Sequence, residues 1–115
     1  GGAGGAGSGD AGAAIAAELL PAMPELLKDS SSSVRRSCAR AIKRFAKLSP
    51  EAVRSHLAAL VPPLLAAVKD TNISVKMASE RSLLHVLQVH TRPETLATFA
   101  KSVDPETAAF VNGYA

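Results

Sequence analysis

Six basic side chains occupy one short segment of this 115-residue sequence, and they are its strongest candidates for binding chemistry. No acidic residue lies in the same segment, which runs from Ser30 to Pro50 and carries Arg35, Arg36, Arg40, Lys43, Arg44 and Lys47. Spacings of four, three and four residues place four of them on one face of a helix: Arg36, Arg40, Lys43 and Lys47. This basic stripe, with Arg44 beside it, predicts a contact with phosphate groups or with an acidic protein surface.

The alternative for this basic stripe is a solvated outer face of a helix. Lysine and arginine near a helix C-terminus also offset the helix dipole, without any partner. A solvated face ordinarily mixes both signs of charge, so the missing acids favour a contact. No aromatic residue is interleaved with the stripe, so base stacking is not expected. A nucleic-acid contact would be to RNA phosphates, without sequence readout.

Other chemistry finds little support in the sequence. His85 and His90 are five residues apart, and no carboxylate or thiol has ligand spacing to them or to His56. Cys38 is the single cysteine and is expected to be a buried, unreactive thiol. Glutamates are scattered along the chain, and the glycine run in 1–12 lacks the lysine of a phosphate-binding loop. We expect no enzyme activity, no cofactor, no metal and no small-molecule substrate.

The composition agrees with a helical binding module. The sequence is 47% hydrophobic and only 3% aromatic, with a net charge of +3, so it favours helix over sheet and suits an anionic partner. No apolar run reaches the length that spans a bilayer, and no membrane role is expected. A single cysteine fits a reducing compartment.

The basic stripe belongs to one of two repeated units. Asp70 lies 41 residues after Asp29, and the same shift aligns other residues without a gap: Pro21 with Pro62, Lys28 with Lys69, Ser33 with Ser74, Val34 with Val75, Arg35 with Lys76 and Arg40 with Arg81. Each unit reads as two helices joined by a short polar turn. A period near 40 residues built from two helices is typical of a HEAT or armadillo solenoid.

Four helices are predicted, over 13–28, 34–48, 50–69 and 75–90, from the spacing of apolar residues. Proline inside a helix removes a backbone donor and clashes with the preceding turn, so the first helix of each unit is expected to bend, at Pro21 and at Pro62.

Serines are expected to begin three of the helices. Ser49 precedes Pro50 as a good N-cap, and Ser33 and Ser74 are expected to cap the second helices. One apolar stripe of helix 34–48 is expected to face the core: Val34, Cys38, Ala41, Phe45 and Leu48.

The order proline, aspartate and basic residue in each unit resembles the HEAT-repeat signature. The resemblance implies hydrogen-bonded ladders between neighbouring repeats, made by Asp29, Arg35, Asp70 and Lys76. The expected fold is therefore all-α: an α-solenoid of two HEAT repeats, 13–48 and 49–90, with a flexible arm at 1–12 and a short helical C-terminal cap or partial repeat at 91–115.

The second unit replaces the basic stripe with apolar residues. Leu84 takes the register position of Lys43, and Leu87 that of Ala46. We expect the C-terminal segment to cover this face with Leu96, Phe99, Val103 or Phe110, since a terminal repeat needs a cap. The alternative is a groove for a partner helix.

One stretch carries a closer resemblance. The run LVPPLLAAVKDTNISVKMASERSLLHVLQVH, followed by ETLATFAKSVDPETAAFVNGY, is similar to the last repeats of the giant HEAT-repeat translational activators of general amino-acid control. That resemblance implies a cytoplasmic scaffold that works on ribosomes and helps activate the kinase of initiation factor two alpha in amino-acid starvation. Its partners would be proteins, among them the ribosome or that kinase.

Two other functions remain open from the sequence. One is a generic adaptor, either importin-like in transport or a microtubule-associated repeat of the tubulin-binding type. The turns "DSSSS" and "DTNI" lack the basic and aromatic residues of tubulin binders, and the basic stripe is opposite in charge to an importin-like inner surface. The other is a purely structural solenoid cap.

Overall fold

A computed structural model of the chain describes residues 14–15, 17–89 and 92–114. The described residues are mostly helical and contain no strand, which confirms the all-α prediction. After a 3-10 turn at Leu20–Ala22 the helices follow in this order: α1 Met23–Leu26, α2 Ser32–Leu48, α3 Pro50–Arg54, α4 Leu57–Ala67, α5 Ile73–Leu87, α6 Pro93–Ala100 and α7 Pro105–Tyr114. None of the described helices is long and apolar enough to span a bilayer. The predicted arm at 1–12 lies outside the described residues.

Prolines divide the first helix of unit one. Residues 17–19 are helical, the 3-10 turn at Leu20–Ala22 contains Pro21, and α1 begins immediately afterwards with Pro24 in its first turn. Proline has no backbone N–H, so the regular helical hydrogen bonding cannot run through these positions. At Pro21, where a bend was predicted, a tighter turn divides the helix.

The first helix of unit two breaks at a different place from the one predicted. α4 continues through Pro62 and Pro63, whereas the break lies at the turn of Ser55 and His56, between α3 and α4. The two prolines leave the carbonyls of Ala58 and Ala59 without helical N–H partners. Both alanines are exposed, so water can satisfy those carbonyls and the helix tolerates the prolines.

The caps of the second helices also differ from the prediction. Ser31 Oγ accepts a hydrogen bond from the Val34 N–H at 3.4 Å, and Asn72 Oδ1 accepts from the N–H groups of Ser74 and Val75 at 3.0 and 3.2 Å. The expected caps, Ser33 and Ser74, are helical residues. Ser49 holds the predicted N-cap position of α3, but its side chain makes no capping hydrogen bond.

The helices pack in two layers. α1 contacts α4 in one layer, α2 contacts α5 along its length in the other, and each second helix packs on the first helix of its own unit. One continuous core results, and its fully buried members include Leu20, Ile42, Leu60, Leu64 and Val86. This arrangement places equivalent positions of α2 and α5 beside one another.

The buried face of α2 is shifted from the predicted stripe. Cys38, Ala39, Ile42 and Ala46 are its buried residues, whereas Leu48 is 77% exposed. α2 packs against both α1 and α5, so its buried face follows the direction between the two neighbours. The prediction had followed the largest apolar side chains instead.

The C-terminal helices pack on each other, and α7 also contacts α4 in the first layer. They bury Leu96, Phe99 and Val111. Leu87 is fully buried, but Leu84 is 47% exposed, so the expectation that the C-terminal segment covers Leu84 was wrong. The first layer continues into α7, while the outer surface of α5 stays open at Leu84.

Candidate functional site

An open groove of about 790 Å³ runs along the surface between α2 and α5. Its lining comes from both helices: Arg36, Ser37, Arg40, Ala41, Lys43, Arg44 and Lys47 of α2, and Ser74, Met77, Ala78 and Arg81 of α5. Ser37, Ala41 and Ala78 lie between the long side chains of the lining. Because they project less far from their helices than arginine or lysine does, they leave the groove open. We call this feature the basic groove.

All four residues of the predicted basic stripe line the basic groove, as does Arg44 beside it. Four of these five side chains are exposed and Lys43 is half-buried: Arg36, Arg40, Arg44, Lys47 and Lys43. α2 is an amphipathic helix: Ile42 lies on its buried face, so the cations on the opposite face point towards solvent.

Arg81 is a sixth cation of the basic groove, and the sequence prediction of the site missed it. A signal for it was present, because Arg81 is the register match of Arg40 in the second unit. Stacked repeats bring matched positions side by side. Extending the site across the repeat would have included it.

The charge of the basic groove is unbalanced. No acidic residue is among the described residues that line it, and the structure pairs none of its six cations with a described carboxylate. Charges of one sign along a concave surface raise the local potential and attract counterions or anionic partners. The described lining of the groove carries six positive charges and no negative one.

The two walls of the basic groove differ in chemistry. The α2 wall is cationic, whereas on α5 the positions that match Arg36 and Lys43 hold Met77 and Leu84, which are 44% and 47% exposed. Met77 lines the groove, and Leu84 lies two helical turns further along the same face of α5. The α2 wall is basic, whereas the α5 wall combines the apolar side chains of Met77 and Ala78 with Ser74 and the cation Arg81.

A second candidate site joins the two repeated units. Arg35 of α2 donates hydrogen bonds to the carboxylate of Asp70 at 2.8 and 3.3 Å, and to the backbone carbonyls of Asp29 and Ser30 at 2.8 and 3.1 Å. The side chains of Arg35 and Asp70 are only 19% and 12% exposed. One guanidinium thus fixes the turn of its own unit and the turn of the next.

The electrostatics of Asp70 follow from these contacts. The hydrogen bond from Arg35, and then that from the backbone N–H of Asn72 at 2.8 Å, lower the pKa of the Asp70 carboxyl group. The group is therefore ionised in the folded protein at neutral pH, as a bidentate pair with arginine requires.

Asp29 is the counterpart of Asp70 in unit one, and Lys76 is the counterpart of Arg35 in unit two, but these two residues do not form a pair. Asp29 accepts from the backbone N–H of Ser31 at 2.9 Å, as Asp70 does from Asn72. Lys76 is exposed, and within the described part of the chain no salt bridge reaches it. The structure brings Arg35 and Asp70 together and leaves Asp29 and Lys76 apart.

The remaining reactive groups of the described residues are a buried thiol and dispersed histidines and carboxylates. Cys38 is buried, its thiol donates to the Met23 carbonyl at 3.4 Å, and burial raises its pKa to about 11. Within the described ranges, no three histidine, cysteine or carboxylate side chains could together hold a metal ion.

Stacked helical pairs, with an arginine–aspartate contact between the units, define an α-solenoid of HEAT repeats. Comparison with known families makes this more specific. Residues 8–101 match the family described as "GCN1-like, C-terminal HEAT repeats". The chain belongs to this family, which is one of helical repeats rather than of enzymes, and the predicted family resemblance is confirmed.

Two curated relatives are similar to parts of the chain. Protein ILITYHIA of Arabidopsis thaliana is 34% identical over 89 residues, which is 77% of this chain and 3% of the relative. The eIF-2-alpha kinase activator GCN1 of Dictyostelium discoideum is 40% identical over 75 residues, which is 64% of this chain and 3% of the relative. The chain thus spans only a small fraction of either protein. No solved structure matches the chain significantly.

Proposed function

We propose that this chain is a non-enzymatic scaffold segment of a cytoplasmic, ribosome-associated regulator of translation. That regulator would help activate the kinase of initiation factor two alpha in amino-acid starvation. Membership of the GCN1-like HEAT family supports this proposal, as does the similarity to a relative named eIF-2-alpha kinase activator. A scaffold of this kind needs no cofactor, since its work is to hold partners.

The basic groove is the surface that does the binding in this proposal. The observation that carries it is that six cations line one groove and that no carboxylate is among the described residues of its lining. A ribosome and its bound factors offer phosphates and acidic protein surfaces, and neutralising such charges releases counterions. Binding through the groove should therefore weaken as the salt concentration rises.

We also propose that the chain has a structural role, in which it keeps neighbouring repeats of a longer solenoid stacked in the same register. The Arg35–Asp70 contact would be one rung of a ladder in which Asp29 and Lys76 supply the rungs on either side. Units 13–48 and 49–90 and the C-terminal segment 91–115 would then be consecutive members of that array.

Co-sedimentation of the chain with ribosomes over a salt series tests the binding role. A variant with Arg36, Arg40 and Lys47 replaced by glutamate should lose binding, because three exposed cations of the groove reverse sign. The matched control reverses three exposed cations elsewhere, Lys28, Arg92 and Lys101, and changes the net charge equally. Circular dichroism establishes that both variants keep the helical content of the parent chain.

The control should bind as the parent chain does. Equal loss in the two variants would show that net charge alone drives the interaction and would remove the basic groove as the site. Absence of salt-sensitive binding by the parent chain would contradict the proposed ribosome contact of this segment.

A further inference from the structure

A ligand that contacts both walls of the basic groove needs anionic groups on one face and apolar groups on another. Phosphate groups gain charge contacts from the α2 wall and from Arg81, but they gain nothing from the exposed apolar side chains of α5. Met77 and Leu84 are large side chains, about half-exposed, on the same face of α5. An anionic ligand that uses the whole surface must therefore also carry apolar groups.

The geometry points to an acidic amphipathic helix of a protein partner as the ligand of the basic groove. A helix lies naturally between two packed helices, since side chains on one helix fill the space between ridges on its neighbours. Its apolar stripe would cover Met77 and Leu84, and carboxylates along one flank would meet Arg36, Arg40 and Lys47. Small residues in the groove, Ser37 and Ala41 among them, leave room for the side chains of the incoming helix.

Nucleic acid fits the same surface less well. The described residues that line the groove include no aromatic side chain on which a base could stack. A backbone contact to RNA would use the cations of α2 and Arg81 and would leave Met77 exposed to water. Charge complementarity and apolar complementarity together therefore select a peptide helix over RNA.

This inference rests on the proposed function, since it assigns a partner class to the same groove. Three fluorescent probes are titrated into the full 115-residue chain and followed by anisotropy. One is an 18-residue peptide with leucines on one helical face and glutamates on the other. The second has the same composition with the leucines spread around the helix, and the third is a 12-base-pair RNA duplex.

The amphipathic peptide should bind at least about tenfold more tightly than the scrambled one, because only it can bury an apolar face against α5. Replacing Met77 and Leu84 with glutamine should remove most of that preference. The matched control places glutamine at Leu19 and Leu48, which are exposed leucines away from the groove, and should retain the preference. Circular dichroism verifies that both double variants are folded.

Equal binding of the two peptides would overturn the inference, and so would tighter binding of the RNA that ignores Met77 and Leu84. Lack of binding by every probe would overturn it as well. The two experiments fail separately. Ribosome binding that depends on α2, without a preference for the amphipathic peptide, rejects the helix ligand alone. Peptide binding without ribosome binding rejects the ribosome contact alone.

Discussion

Arg35 is the residue with the widest set of polar contacts among those described in this chain. Its guanidinium reaches a carboxylate of the next unit and two carbonyls of its own turn. Lysine could not replace it. The planar guanidinium group holds the carboxylate through two hydrogen bonds and also donates to a carbonyl, a geometry that a single ammonium group cannot reproduce. The contact is enclosed, so solvent screens it less than a surface pair.

Replacing Arg35 with glutamine should lower the free energy of unfolding by about 2 kcal/mol, because Asp70 loses its charged partner in a half-buried place. Urea unfolding followed by circular dichroism measures the change. The matched control is Glu106→Gln, which breaks the pair of Lys69 and Glu106, two side chains that are 64% and 65% exposed. That change should cost no more than about 0.5 kcal/mol. Equal costs for the two substitutions would contradict a structural role for the Arg35 contact.

The same pair makes a prediction about pH. Folding lowers the pKa of Asp70 from 3.8, so its stabilisation is complete above that value and is lost as the pH falls through the folded-state pKa. The stability gap between the parent chain and Arg35→Gln should therefore narrow below about pH 4. A gap that stays constant down to acid unfolding would show that Asp70 does not titrate with this contact.

At the scale of the element, the second helix of each unit begins one residue before the serine that the sequence suggested as its cap, and the observed cap lies two residues before that serine. α5 begins at Ile73 with Asn72 as its cap, and Ser74 donates its backbone N–H to that cap. Asparagine leads the ranking of N-cap residues together with serine and aspartate. The turn of unit two therefore ends on a residue well suited to starting a helix.

Asn72→Ala should destabilise the chain by about 1 kcal/mol, because two backbone N–H groups lose their acceptor. Ser74→Ala should be neutral or slightly stabilising, since alanine has the higher helix propensity and the side chain of Ser74 is exposed. Thermal unfolding of the two variants tests the assignment directly. A larger loss for Ser74→Ala would return the cap to the position predicted from the sequence.

The repeat could be predicted from the sequence because residues of the same type recur at a fixed spacing in the two units. Pro21 with Pro62 and Asp29 with Asp70 fix two units and their turns, and α2 contains every residue of the basic stripe. Finer features depend on neighbours that no local pattern reveals. No proline or glycine at Ser55 or His56 indicates the helix break there. The exposure of Leu84 depends on where α7 packs.

At the scale of the whole molecule, the described segment is held together by one core that extends from Leu20 to Val111. Two helical repeats bury little surface alone, and about three are usually needed for stability. The pair of α6 and α7 supplies further buried residues, Leu96 and Phe99 among them. The three helical pairs should consequently unfold as one cooperative unit.

The single cysteine gives a probe of this coupling at the far side of the core. Cys38 of α2 is buried, and its pKa is raised to about 11 by burial, so the folded protein presents a neutral, inaccessible thiol near pH 8. A thiol reagent should react slowly with the folded chain and rapidly with the unfolded one. Thiol reactivity across a urea series therefore reports the unfolding of α2.

Leu96→Ala in α6 should lower the free energy of unfolding by about 2–5 kcal/mol, because the leucine is buried and its removal leaves a cavity. If the solenoid is one cooperative unit, the urea midpoint for Cys38 exposure should fall by the same amount as the midpoint for helix loss. Leu48→Ala, at a leucine that is 77% exposed, should leave both midpoints unchanged. A Leu96 variant that loses helix at lower urea while Cys38 stays protected to the parent midpoint would mean that α6 and α7 unfold independently of the repeats.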